Sequence, residues 1–346
     1  MIGVSSRRDA VGPDRRQMGY APPFTRTPAI DDLCMQIAEH IGALGPTTPL
    51  LTSSRLHREL RIRTIRSSLM IEGNTLSHDA VTAIIDGKRV LGPAREIREV
   101  ENANRAYGLM EELDPYSLAD LLRAHGVMMA GLVDDAGRFR NANAGVFDGE
   151  RLIHAGTPAA YVPEVMADLF GWMSRTDLHP LLVSCIFHCE FEFIHPFTDG
   201  NGRTGRLWHT LLLSRWRPVL AWLPIETVIR DRQQDYYAAL ARSNAAGSCE
   251  DFVAFILTVI RDALVPYASS GTEARSAYAD ERTSRTLTFL SEEPTATVAD
   301  LAAHLGCSRR TAERVIADLR ASGRLVREGS ARAGRWRVPG PEPNEA

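Results

Sequence analysis

His195-Pro-Phe-Thr-Asp-Gly-Asn-Gly-Arg-Thr-Gly-Arg206 lies between two apolar, helix-patterned segments, Leu181 to Ile194 and Arg203 to Trp216. Pro196 stops the first helix, because the residue before a proline is pushed out of the α region. His195 is therefore held at a helix end with its side chain directed to the loop. Gly200 and Gly202 let the backbone turn tightly and expose its amides, and the next helix is expected to begin at Arg203. Unpaired amides at a helix N-terminus, with the positive end of the helix dipole, bind anions. Arg203 and Arg206, one helical turn apart, add fork-shaped donors suited to phosphate oxygens. Asp199 faces the same loop, where one carboxylate holds Mg²⁺ if phosphates supply the remaining ligands. A histidine, a carboxylate and a glycine-rich anion nest so close together point to phosphoryl or nucleotidyl transfer, with His195 accepting the proton of an attacking hydroxyl.

The rest of the chain narrows the reading. Its 346 residues suit two units, and 44% hydrophobic with 24% charged residues is enough for a sizeable core. A net charge of −3 argues against coating nucleic acid along the whole length but permits a local basic patch. Charged residues break every long apolar stretch within a membrane's width, so no transmembrane helix is expected. The N-terminal residues carry arginines but no apolar core, and a secretory signal is not expected either. Cys34, Cys185, Cys189, Cys249 and Cys307 are scattered and odd in number, which reads as reduced core thiols in a cytoplasmic protein. Lys88 is the only lysine and is followed by Arg89, so neither a Walker-type phosphate loop nor lysine-dependent catalysis is expected.

The fold class expected is mainly α, with one short hairpin and a small C-terminal helix-turn-helix. Residues 1–29 are polar and proline-punctuated and read as a flexible arm. Residues 30–267 form the main unit, with a helix from Ser54 to Ile71 that ends at Gly73-Asn74. Further helices are expected over Ser117–Leu132, Val162–Met173, Asp231–Asn244 and Asp251–Leu264. Gly145 to Gly156 reads as a hairpin around an Asp148-Gly149 turn. Residues 268–279 are rich in Ala, Ser, Gly and Thr and read as a linker. From 280 to 338, Thr297 and Ser308 cap two successive helices, and Leu325-Val326 and Trp336–Val338 flank a basic turn. That order describes a winged helix-turn-helix, followed by a tail at 339–346. Counted from Glu281, this unit has 11 arginines against 7 acidic residues. Arg309, Arg310 and Arg314 fall at the start of its second helix, where contacts to DNA are made.

HPFTDGNGRTGR resembles the active-site motif of the Fic domain family, HPFx(D/E)GNGRxxR, at every fixed position. The resemblance covers about residues 30–267, and the C-terminal unit is similar to the winged helix that some Fic proteins append. It implies transfer of AMP from ATP, with Mg²⁺, onto a Ser, Thr or Tyr hydroxyl of a target protein. By the same resemblance His195 is the general base, Asp199 holds the metal, and Gly200, Asn201, Gly202, Arg203, Thr204, Gly205 and Arg206 bind the nucleotide phosphates. The sister Doc kinases carry Lys at the position of Arg203 and Ala at that of Gly200, which favours nucleotidyl over phosphoryl transfer. Tyr236, Tyr237 and Asn244 resemble the adenine and ribose site, where an aromatic face stacks on a purine and an amide reads its edge. The 145–156 hairpin resembles the flap that aligns the target chain by strand addition, with Ile153 and His154 as its contact residues.

Ser68-Leu-Met-Ile-Glu72-Gly73 resembles the family's inhibitory motif, (S/T)xxxE(G/N), on a helix at about 54–73. Ser68 and Glu72 share one helix face, and the resemblance implies that Glu72 pairs with Arg206 where the γ-phosphate belongs. Removal of AMP, or transfer from another nucleotide, stays open, as do self-modification and a homodimer. A different class of function also stays open: a DNA-binding regulator whose core senses nucleotide, or a winged helix that docks protein instead of DNA.

Overall fold

The computed structural model describes residues 19–44, 48–143, 145–148, 151–268, 283–307, 309–329 and 334–339, and along 145–148 and 151–155 the backbone alone. The linker expected at 268–279 (apart from residue 268), the Ser308 cap, the side chains of Ile153 and His154, and the tail beyond 339 lie outside the described residues.

The chain opens with α1 (Pro28–Ala43), α2 (Pro49–Thr52), α3 (Ser54–Ile71), α4 (His78–Ile85), α5 (Ala94–Gly108) and α6 (Leu118–Met128). The hairpin β1 (Gly145–Asp148) and β2 (Arg151–Ala155) follows, then α7 (Val162–Arg175), α8 (Pro180–Ile194), α9 (Asn201–Trp216), α10 (Ile225–Asp231), α11 (Gln233–Ala246) and α12 (Glu250–Ala268). Side-chain caps start several of these: Thr27 for α1, Ser53 for α3, Ser77 for α4 and Ser117 for α6 each accept a backbone amide of the first turn. Helix α8 is buried on all sides, with Cys185, Ile186, Phe187, Cys189 and Phe191 fully covered. A helix that is apolar all round belongs at the centre of a bundle. Helices α9 and α12 pack along it, and α1 lies on the outer side of α12. Each Leu or Phe buried this way contributes about 1.5–3 kcal/mol, so the central pair of helices is the most rigid place on which to mount a site.

The hairpin pairs antiparallel, Val146 with His154 and Phe147 with Leu152, so its register skips Ile153. That extra residue is a β-bulge, which twists the ribbon locally.

The second unit comprises α13 (residues 283–292), α14 (Val298–Leu305), α15 (Arg309–Ala321) and a ribbon of β3 (Val326–Glu328) and β4 (Arg335–Arg337). Thr297 and Asp300 form a reciprocal capping box at α14, and Gly306 ends that helix at φ 61°. Leu290, Leu301, Ala312, Ile316, Leu319 and Trp336 make its core, which shares no residue with the larger one. This is the mainly α architecture with a C-terminal winged helix-turn-helix that the pattern anticipates.

Several local expectations change. The described end of the N-terminal arm lies on the bundle: Tyr20 donates to Glu190 at 2.6 Å, and the Cys249 amide donates to the Pro23 carbonyl at 2.9 Å. Helix α9 starts at Asn201, two residues before Arg203. The helix expected at 231–244 is α11, shifted two residues to Gln233–Ala246, and a separate short helix, α10, precedes it. Helix α6 stops at Met128, while α12 runs through Pro266, whose missing N–H falls near the helix end.

Candidate active site

Helix α8 ends on an unusual backbone. His195 adopts φ 50°, ψ 61°, the one positive φ at a non-glycine residue among those described. A left-handed non-glycine residue costs on the order of 1 kcal/mol or more and persists only where its surroundings hold it. Its amide donates back to Phe191 at 3.0 Å, and its carbonyl accepts Nε of Arg140 at 2.6 Å. Arg140 is almost fully buried. It also donates to Ala142 O at 2.8 Å, to Ile194 O at 3.2 Å and to Thr157 O, and its own amide donates to Pro196 O at 3.0 Å. Residues 142 and 157 flank the hairpin, so one guanidinium ties the base of the hairpin to the peptide that carries His195. No sequence rule marked Arg140, because a five-donor side chain shows its value only against the carbonyls it meets.

The loop between α8 and α9 is closed by its own side chains. Asn201 accepts the Phe197 amide and donates to the Phe197 carbonyl, both at 2.8 Å. His125 of α6 stacks on Phe197 at 3.6 Å. The Gly137 amide donates to Nδ1 of His125, so the proton is on Nε2, which donates to the Asp199 carbonyl at 3.0 Å. Burial pushes His125 down to about 4, which keeps it neutral and in this tautomer. Gly200, at φ 84°, begins α9, and a Cβ there would lie 2.5 Å from Met129 Sδ. Backbone and space both demand glycine.

Asp199 Oδ1 accepts the Gly200 amide at 2.6 Å and Arg203 at 2.7 Å, and Oδ2 accepts Arg95 at 3.0 Å. Three of about four acceptor directions of the carboxylate are thus taken. Among the described residues no three metal-ligating side chains cluster. Asp199 fits a Mg²⁺ that takes one carboxylate and substrate phosphates, because Arg95 is largely exposed and able to swing away. Arg203 is buried and reaches Glu99 at 3.4 Å as well as Asp199, and Glu99 in turn accepts the amide of Asn74, just past the end of α3.

Arg206 is 2% exposed. Its Nε donates to Ser68 Oγ at 3.0 Å, and Nη2 donates to Ser68 O at 2.9 Å and to Glu72 Oε1 at 2.8 Å. Burial opposes its charge, but the polar and acidic groups around it, the Glu72 carboxylate foremost, together hold the guanidinium above its ordinary pKa. A Cβ placed on Gly202, in the first turn of α9, would collide with Glu72 Oε1 and Arg206 Nη1. The Glu72 carboxylate therefore rests against the amide end of α9. Gly205 and Thr204 are buried on the other side of that turn, where a Cβ on Gly205 would touch Glu192 and Phe191 at 3.0 Å.

Behind Arg206 lies a buried polar layer. Burial raises the Glu192 carboxyl to about 7, an effect that Arg206 opposes and Glu72 adds to. Burial also drives His188 well down and His209 to about 3, so both are neutral. Tyr236 belongs to this layer. It is 1% exposed, packs against Phe252 and sits 3.3 Å from His188 through its hydroxyl, so neither ring face is open to a base. Tyr237 is half-buried, and Asn244, seven residues on, lies on the same helix face. The structure thus brings Tyr237 and Asn244 together along α11 and leaves Tyr236 in the core.

In the second unit, Arg309 pairs with Glu313 at 3.1 Å, while Arg314 lines a groove facing α3. Arg310 and Arg314, four residues apart, share a face of α15, and Arg309 borders a different groove from Arg314.

The helix end that carries His195 and the N-terminal turn of α9, with the buried Arg203 and Arg206, are joined by one short loop. The Fic/DOC family model matches residues 115–213, and an HTH domain model matches residues 282–331. A crystal structure of a Fic family protein from Desulfovibrio desulfuricans is 44% identical, with TM-score 0.69, and the match covers 93% of this chain and 99% of that one. This chain belongs to the Fic family. "Protein adenylyltransferase fic-1" of Caenorhabditis elegans is 33% identical over 220 residues, 58% of this chain and 40% of that protein. "Protein adenylyltransferase Fic" of Nematostella vectensis is 27% identical, over 64% of this chain and 52% of that protein. The chain thus spans about half the length of these curated relatives, or less. A solved fragment of the C. elegans protein superposes with TM-score 0.55 at 26% identity, covering 69% of this chain and 70% of the fragment. Among the described residues no helix is long and apolar enough to cross a membrane.

Proposed function

We propose that this protein transfers AMP from ATP to a Ser, Thr or Tyr hydroxyl of a target protein, and that Glu72 restrains the reaction. The observation that carries the reading is the position of the Glu72 carboxylate, bound to Arg206 and seated against the first turn of α9. A carboxylate held by a buried guanidinium beside a helix N-terminus stands in for a phosphate. The names of the adenylyltransferase relatives support the reaction class.

In this reading the α9 amides and Arg203 hold the nucleotide phosphates, and Arg206 takes the γ-phosphate once Glu72 withdraws. His195 removes the proton of the target hydroxyl as its oxygen bonds to the α-phosphorus. The bond from that phosphorus to the bridging oxygen breaks, and pyrophosphate leaves. Mg²⁺, with Asp199 as its protein ligand, neutralises phosphate charge when bound. Arg140 fixes the peptide of His195, and the 145–155 ribbon guides the target chain by strand pairing. Tyr237 and Asn244 contact the base and ribose. We assign 30–267 to the transferase unit and 280–338 to the winged helix, a division supported by the two separate apolar cores. None of the five cysteines is in a disulfide, which suits a reducing, cytoplasmic setting.

Label from α-labelled but not γ-labelled ATP on protein, absent in His195→Ala, is the expected result. Label from the γ-position instead means a kinase, and no label from either refutes the reading. The HTH match supports a second role, duplex binding through α15. A salt-sensitive mobility shift with the full chain tests it.

A further inference from the structure

Two carboxylates from different helices approach the first turns of α9, and both act on Arg206. Glu72 comes from the end of α3, where a Cβ on Gly202 would lie 2.4 Å from its Oε1. Glu192 comes from α8, where a Cβ on Gly205 would lie 3.0 Å from its Oε1. The Glu192 side chain is buried, and its Oε1 has no hydrogen-bond partner among the described residues.

The neighbours of Glu192 are neutral apart from those two. His188 of α8, 3.8 Å from Oε1, and His209 of α9 are held unprotonated by burial. Burial also pushes up the Cys189 thiol and the hydroxyls of Tyr236 and Tyr237 on α11, so all three keep their protons. Helix α12 adds the apolar ring of Phe252 against His188 and Tyr236. The charges that act on Glu192 are therefore those of Arg206 and Glu72. While Glu72 holds Arg206, a second buried carboxylate beside the first is favoured in its protonated form. Once Glu72 withdraws, the buried guanidinium keeps only the Ser68 oxygens, and an unpaired buried charge is costly. Loss of the Glu192 proton supplies the missing counter-ion without moving Arg206.

We propose that Glu192 is a positioning residue, which becomes the counter-ion of Arg206 when Glu72 withdraws and yields that role when a nucleotide phosphate arrives. The inference rests on the function proposed above, in which the phosphate takes the place of Glu72. One proton leaves Glu192 for solvent in the first step and returns in the second. Burial first, with the Glu72 charge adding to it, raises Glu192 to about 7 against the pull of Arg206. Loss of Glu72 lowers that value, and a phosphate in its place raises it again. Nucleotide binding without Glu72 therefore takes up a proton, and affinity falls as pH rises through the interval between the two values.

Calorimetry of the full chain tests this with the magnesium complex of an ATP analogue whose α–β bridge is methylene, which cannot transfer AMP. Titration at about pH 6.5 in two buffers of different ionisation enthalpy counts the protons taken up. Glu72→Gly is expected to take up a large fraction of a proton more than Glu72→Gly/Glu192→Gln. Its affinity is expected to fall between about pH 6 and 8 by up to about tenfold per unit, the limit for one proton, a slope the double variant lacks. Equal uptake and parallel pH curves overturn the proposal but leave the proposed function standing, since both variants then bind nucleotide. No binding by folded Glu72→Gly overturns both. If the double variant melts low, infrared difference spectra of Glu72→Gly replace it. A protonated-carboxyl band gained on binding the analogue is the expected result, and its absence overturns the proposal.

Discussion

The Glu72 carboxylate and the Arg206 guanidinium meet at 2.8 Å, although 134 residues separate them in the chain. The arginine is almost wholly buried, and Ser68 supplies two of its remaining acceptors, so the pair is a fixed part of the site rather than a surface contact. Removing one partner of such a pair costs about 3–5 kcal/mol when the other charge stays buried. Under the proposed function ATP offers a replacement, its terminal phosphate supplying the anion that Glu72 now provides.

Glu72→Gly is therefore expected to raise the initial rate of AMP incorporation about a hundredfold, at roughly 1.4 kcal/mol per factor of ten. The check is labelled-ATP incorporation with and without Glu72, alongside a melting curve. An unchanged rate in a folded variant removes the inhibitory role.

His195→Gly separates chemistry from folding. The residue is left-handed, a conformation glycine adopts without strain, so stability is expected to stay within about 1 kcal/mol of wild type. Transfer is expected to vanish while nucleotide binding to the Glu72→Gly background persists. Residual transfer at the parent rate contradicts His195 as the base.

Gly200→Ala is expected to fail for two independent reasons, φ 84° and the sulfur of Met129 at 2.5 Å from the new carbon. Strain and overpacking together amount to about 2–4 kcal/mol. Chemical denaturation measures the loss, and Gly200→Ala/Met129→Ala restoring only part of it separates crowding from backbone strain.

Arg140→Gln leaves several buried carbonyls short of a donor, at about 1–3 kcal/mol for each group stranded. A lowered Tm follows. A misplacement of about 1 Å at a reacting group costs on the order of a hundredfold in rate, so kcat is expected to fall much more than the KM for ATP changes. A fall confined to KM contradicts a link from Arg140 to His195.

Glu192 gives a pH signature. Its folded pKa of about 7 lies above the ordinary carboxyl value, so the folded state holds a proton that the unfolded state has released. Stability is then expected to fall as pH rises from about 4.5 to 7 and to level off above that, by a few kcal/mol at most. The buried histidines act in the opposite sense and only below about pH 6.5. The stability difference between wild type and Glu192→Gln, followed from pH 5 to 8, isolates the carboxyl. A flat difference curve shows that Glu192 stays ionised throughout.

The sequence by itself determined what depends on neighbours along the chain. Pro196 after His195, glycines at 200 and 202, caps at Ser53 and Thr297, and apolar residues at helical spacing act within a few residues. They set the helix ends, the loop between α8 and α9, the hairpin and the winged helix. A motif of that density also carried the family resemblance. Tertiary structure decided what depends on direction and burial. Tyr236 and Tyr237 are adjacent and equally aromatic, yet helix rotation puts one in the core and leaves the other half-buried. Arg140 looks like any surface arginine until four carbonyls converge on it. Asp199 reads as a bare carboxylate but is already shared by an amide and two arginines. Local sequence encodes torsion preferences, whereas desolvation and convergent polar contacts arise from segments far apart in the chain.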